Sequence, residues 1–145
     1  MERWLAVAVM AVAGGVVAIQ PALNAGLGRA TGNLPAAMLS FLLGAVALAA
    51  LVTLAGQLGQ VSGATEVRWY YLLGGLCGEF WVATSIVAVK AIGAGGVVAA
   101  TISGQLTGAV VADRLGILGL EEVPITLGRV LGVALLAFGT YLVVR

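Results

Sequence analysis

Apolar residues run along this chain in long stretches, and charged or turn-forming residues collect in the gaps between them. A helix that crosses a bilayer needs about 20 mostly apolar residues at 1.5 Å of rise each. Five segments reach that length: Trp4–Leu27, Leu34–Ala55, Trp69–Val89, Gly95–Ala112 and Pro124–Val144. The connections are GRATGN, GQLGQVSGATEVR, KAIGAG and DRLGILGLEEVP. Pro35 suits the first turn of the second span, where a missing N–H costs nothing. None of the connections is long enough for a soluble domain, so residues 1–145 read as one membrane domain. The N-terminal run MERWLAVAVMAVAGGVV has the look of a signal peptide, but its apolar stretch continues to about Leu27. That is too long for a typical signal core, and a mature first span is the expectation.

Composition agrees with the pattern. Hydrophobic residues make up 61% and charged residues 9% of the chain, with a mean hydropathy of +1.13. Soluble domains carry about 45–50% apolar and about 25% charged residues, so the solvent here is lipid. The expected class is an all-α integral protein of a bacterial-type cytoplasmic (inner) membrane. A net charge of +1 without a basic block gives no reason to expect nucleic acid. One cysteine and no histidine exclude an internal disulfide and any Cys/His metal cluster. Cys77, in an apolar run, reads as a small hydrophobe. Nothing suggests an enzyme, a cofactor or a metal: there is no nucleophile elbow, and the glycines of AIGAGG read as a tight turn between helices.

Glycine is abundant, at 22 residues. The pairs Gly74/Gly78, Gly104/Gly108 and Gly128/Gly132 are GxxxG spacings in the third, fourth and fifth spans, and small residues let membrane helices approach closely. A tight helix bundle is the expectation. Trp4 and Trp69, at span ends, are interface anchors.

Five spans place the two ends of the chain on opposite sides. One side then holds Arg3, Arg68, Arg114 and Arg129, the last snorkelling from one turn inside the fifth span, and the other holds Arg29, Lys90 and Arg145. Orientation normally follows a clear Lys/Arg excess, and four against three is almost none. One reading is a charge-poor sequence oriented by other means. The other is dual topology, with copies inserted both ways and paired antiparallel, giving a ten-helix bundle with the symmetry that transporters build from inverted repeats.

The polar residues inside the spans are the candidate chemistry. Glu79 lies at the middle of the third span, where insertion scales assign a charged group a cost of roughly 2.5–3.5 kcal/mol. A site that holds either a proton or a cation couples their movements; the structural alternative is a protonated acid bonded to a neighbouring helix. Gly75, Val82, Ala83 and Ile86 share its face by i±3 and i±4 spacing. Trp81 is near mid-span, where its ring is a candidate cation contact or a packing residue. In the first span, Pro21 cannot donate to the carbonyl of Val17, so a helix break is expected there. Gln20 and Asn24 flank it on one face, as substrate-lining amides or as helix-bridging ones. Gln105, in the fourth span, is a further candidate. Asp113, Glu121, Glu122 and Arg129 collect at the last connection, where a structural salt bridge is expected.

The order and spacing of several of these residues resemble one family. Gln20-Pro21 with Asn24, Phe41 with Gly44, and Trp69 ahead of Gly74-Gly75 are followed by Gly104-Gln105, Asp113 with Gly116, and Arg129 with Gly132. This pattern resembles the YdcZ-like five-helix group of the drug/metabolite transporter superfamily and covers most of the chain. The resemblance implies a transporter-like protein of ten-helix inverted-repeat architecture, here assembled from two chains. It names no substrate. The chain departs from the group in having Asp113-Arg114 where Asp-His is common, and in the acid at Glu79.

The leading expectation is a small secondary transporter that moves a cationic or polar metabolite, proton-coupled through Glu79. Its partners would be a second copy or a homologous sibling, the bilayer and a small-molecule substrate. The alternatives are a passive dual-topology channel, and a non-transporting scaffold or helper subunit held by its glycine faces.

Overall fold

A computed structural model describes residues 2–119 and 121–145, and those residues are helical through most of their length. The α-helices are α1 (Arg3–Val17), α2 (Gln20–Thr31), α3 (Asn33–Leu54), α4 (Gly74–Leu115) and α5 (Leu127–Val144). Short 3-10 segments fill Leu58–Thr65, Trp69–Leu73 and Ile117–Gly119. Among the described residues, four stretches are long and apolar enough to cross a membrane: Arg3–Thr31, Asn33–Leu54, Trp69–Leu115 and Leu127–Val144.

The boundaries correct the sequence reading at several points. The break expected at Pro21 is present, with α1 stopping at Val17 and Ala18–Ile19 forming a turn before Pro21 enters the first turn of α2. That position tolerates proline because its N–H would lack a partner in any case. α2 then runs past Leu27 to Thr31, and one residue, Gly32 at φ 91°, links it to α3. The third span begins as a 3-10 segment at Trp69 and becomes an α-helix only at Gly74. Rings of Trp69, Tyr70 and Tyr71 pack edge-on and tilted along that segment, with centroids 6.3 and 4.7 Å apart. Such an aromatic group suits the membrane interface.

KAIGAG is not the loop expected of it. Helix runs on both sides of a single non-helical residue, Gly93, at φ 69° and ψ 169°. Lys, Ala and Ile are at home in a helix, and only glycine tolerates that backbone without strain. A continuous helix over the 47 residues Trp69–Leu115 would be about 70 Å long, more than twice the hydrocarbon thickness. Gly93 divides it into pieces each about one bilayer long. The fifth helix starts at Leu127 rather than Pro124, with the Thr126 hydroxyl accepting from the Arg129 N–H at 3.3 Å.

The helices gather into two compact units, one of Ile19–Lys90 and one of the residues up to Ala18 with Ala91–Arg145. In the first, α2 meets α3 and the early part of α4. Ala36, Ala37, Val82 and Ile86 form its core, with Leu27, Phe41, Trp81 and Ala83 packed against it. Gly28 makes the close approach possible: a Cβ there would sit 3.2 Å from Ile86 Cγ2 and 3.3 Å from Asn33 Oδ1. Lys90 Nζ donates to the same Asn33 Oδ1 at 3.0 Å, tying α4 to the start of α3.

In the second unit, hydroxyls join residues 94–115 of α4 to α5. Ser103 Oγ lies 2.7 Å from Thr140 Oγ1, which is also 2.9 Å from the carbonyls of Ala99 and Leu136. Gly96 lets Val144 approach, since a Cβ there would lie 3.3 Å from Val144 Cγ2.

Candidate functional site

The intramembrane carboxylate lies on the wall of a cleft in the Ile19–Lys90 unit. This cleft, of about 590 Å³, is lined by Leu34, Ala37, Met38, Phe41, Leu42, Ala45, Glu79 and Ala83. α3 supplies most of the wall through residues 34, 37, 38, 41, 42 and 45, which follow one another at helical spacing. α4 adds Glu79 and, one turn on, Ala83. Of the neighbours expected on Glu79's face, Ala83 shares the cleft, whereas Val82 and Ile86 turn into the core. Glu79 is exposed, and no described residue forms a hydrogen bond or ion pair with it.

Gln20 lines a second, smaller cleft of about 290 Å³ with Ser40, Phe41, Gly44, Ala45 and Leu48. Phe41 and Ala45 belong to both walls, so the two clefts adjoin along α3. The ring rests on Gly78, where a Cβ would lie 3.4 Å from Phe41 Cζ and 3.6 Å from Cε1. Only these two ring atoms come within 4 Å of that point, so the rim of the ring meets the glycine. Phe41 as a site residue escaped the sequence reading. α3 is apolar on every side, and the Ala37, Phe41, Ala45 spacing was the available signal.

Asn24, one turn beyond Gln20, is 6% exposed, and its Nδ2 has no hydrogen-bond partner among the described residues. Pro21 is buried beside it. An unpaired donor in such a place costs about 1–3 kcal/mol. Trp81 packs against the core and is not part of the Glu79 wall.

Gln105 belongs to the other unit, where it is exposed on α4. The same unit holds the charged cluster of the last connection. Arg129 Nη1 donates to Asp113 Oδ2 at 3.0 Å, with both side chains about a third exposed (32% and 33%). The N–H of Val123 donates to the Asp113 carbonyl at 2.9 Å, so one aspartate closes the connection through side chain and backbone. Arg114 and Glu122 approach to 3.9 Å in the open, a pair of little energetic weight, and Glu121 is exposed. Of the GxxxG glycines, Gly78 meets Phe41 and Gly128 meets only Thr126 beside it. A Cβ on Gly74, Gly104, Gly108 or Gly132 would meet nothing within 4 Å among the described residues.

Residues 5–142 match the family model described as "Putative inner membrane exporter, YdcZ". The chain is also similar to "Inner membrane protein YdcZ" of Escherichia coli (strain K12), with 35% identity over 83 residues. That alignment covers 56% of this chain and 54% of the relative, so the chain spans about half the length of the curated relative it matches. No solved structure matches it. With its membrane-length helices and a family match over nearly its whole length, the chain belongs to the YdcZ family of inner-membrane proteins.

Proposed function

We propose that the protein is a small secondary transporter that moves a cationic or polar metabolite across the inner membrane, with Glu79 exchanging a proton for the substrate. The observation that carries this reading is a carboxylate on the wall of a cleft in a membrane-length helix, with Gln20 in an adjoining cleft that shares Phe41 and Ala45. A carboxylate facing lipid is costly, and such residues mark substrate or ion pathways. The family description as an exporter supports the same direction of thought.

The chain crosses the membrane five times in this reading, α4 counting as two crossings on either side of Gly93. The working unit is an antiparallel homodimer in which the second copy supplies a second Glu79 near the midplane. Two close carboxyls then titrate as a coupled pair. Open glycine faces on α4 and α5 give the partner a surface for close helix approach. Asn24 and Gln105 supply amides to the pathway.

Reconstitution in liposomes tests the function. Uptake driven by a pH gradient is expected, and Glu79→Gln should lower it by at least about tenfold and flatten its pH dependence. Unchanged uptake in that variant would remove Glu79 from the coupling. Current without counter-transport, at rates far above a transporter's, would identify a channel instead.

A further inference from the structure

We infer that the seam between α4 and α5 binds an anionic glycerophospholipid of the surrounding membrane, its head at Arg145 and Tyr141 and an acyl chain along Ala137 and Ala100. The site lies within the unit formed by the residues up to Ala18 with Ala91–Arg145, and it stands whether or not the protein transports.

A groove of about 520 Å³ runs along the seam, a volume in the range of ligand sites. α4 lines it with Ile92 and Ala100, and α5 with Ala137, Tyr141, Val144 and, at the helix end, Arg145. Thr140 also reaches the wall, but its hydroxyl is already bonded to Ser103 and to the carbonyls of Ala99 and Leu136. Ala137, Tyr141 and Arg145 follow one another at i, i+4, which makes one stripe with about 6 Å between successive levels. α5 has 18 residues, about 27 Å of helix, so when it crosses the hydrocarbon its end puts Arg145 at the level of the lipid heads. Tyr141 then lies near the interface, which suits its amphipathic ring, and Ala137 lies one turn deeper among the chains. From rim to depth the stripe presents a cation, a hydroxyl and a methyl group. A phospholipid presents a phosphate, an ester and hydrocarbon in the same order.

Both polar side chains have capacity for such a partner. Arg145 and Tyr141 are exposed, and neither side chain forms a hydrogen bond or ion pair among the described residues. α5 carries no acid, and beyond Gly93 the first acid of α4 is Asp113, which Arg129 holds at 3.0 Å. No side-chain carboxylate on the two helices therefore competes for the Arg145 charge. A zwitterionic head brings its own ammonium group, which offsets the attraction, whereas an anionic head does not. A small soluble anion would satisfy the guanidinium alone and leave the apolar length of the groove uncovered.

Native mass spectrometry of the full chain, stripped of lipid in detergent and titrated with defined lipids, tests this. Phosphatidylglycerol is expected to bind about fivefold more tightly than phosphatidylcholine with the same acyl chains, the effect of one basic side chain near an anionic head. Arg145→Gln should abolish that preference by weakening phosphatidylglycerol alone. Tyr141→Phe should weaken both lipids alike, by about fivefold, because the ester is common to them. Ala137→Phe, at an exposed position in the groove, should exclude both. Arg3→Gln removes an exposed charge from outside the groove and should change neither affinity. Equal affinity of the parent for the two lipids would overturn the proposal, as would an unaltered preference in Arg145→Gln or unchanged binding in Tyr141→Phe. An equal loss in Arg3→Gln would reduce the effect to overall charge and overturn it too. Displacement by an equal concentration of inorganic phosphate would give the site to a soluble anion instead. If Ala137→Phe does not fold, the Arg145 and Tyr141 variants decide, since both alter exposed side chains.

Discussion

Asn24 carries an amide that is almost wholly buried and finds no acceptor among the described residues. If that donor serves folding, removing it should cost stability. If it serves a ligand or a second copy, removing it should relieve an unpaired buried group. We expect the second outcome. Asn24→Leu, which keeps the number and branching of side-chain heavy atoms, should leave thermal unfolding in detergent within about 1 kcal/mol of the parent while flux in liposomes falls. A loss of several kcal/mol in stability would return Asn24 to a structural role. Glu79 and Asn24 were both legible in the sequence, because a polar group amid apolar residues is conspicuous. Phe41 was not, because an aromatic in an apolar helix has no such contrast. Its seat is Gly78 across the helix pair, a contact that no spacing along the chain records.

Two helix breaks show why some element boundaries could be read and others could not. Pro21 announces the first, since a missing N–H and a ring clash act on the chain's own preceding turn. Gly93 announces nothing, for it is one of 22 glycines and lies in a connection where several would suit a turn. Its φ of 69° and ψ of 169° lie in a region essentially reserved for glycine. We expect Gly93→Ala to lower stability by about 1–3 kcal/mol. Gly95, two residues on, provides the control, because a Cβ there would lie at an ordinary 3.9 Å from Val143 Cγ1. Gly95→Ala should change stability by no more than about 0.5 kcal/mol. Thermal unfolding of both variants in one detergent makes the comparison, and equal effects would deny Gly93 its special backbone. The 3-10 start at Trp69 was also missed, since composition alone does not separate it from a first α-helical turn.

The class, the membrane setting and the family were open in the sequence, whereas the arrangement of copies is a matter of how nearly the charges balance. A tally of four Lys/Arg on one side and three on the other leaves orientation poorly determined, if five crossings are made. An antiparallel homodimer needs both orientations, so fixing one should stop function without harming the fold. Gln57→Lys with Gln60→Lys adds two charges to the side of Arg3 and Arg68, in the 3-10 connection away from either cleft. Arg3→Gln, Arg68→Gln and Arg114→Gln together leave one charge there against three. Each variant alone should insert one way and lose flux in reconstituted membranes. Expressed together, the two should recover it, since each supplies the orientation the other lacks. Thiol labelling of single cysteines introduced at both ends, in intact cells, reads the orientation directly. The parent protein should label from both sides at each end, and the fixed variants from one side at each end. A parent that labels from one side only, or a fixed variant that transports fully by itself, would leave the antiparallel homodimer without support and turn the search toward an oppositely inserted sibling.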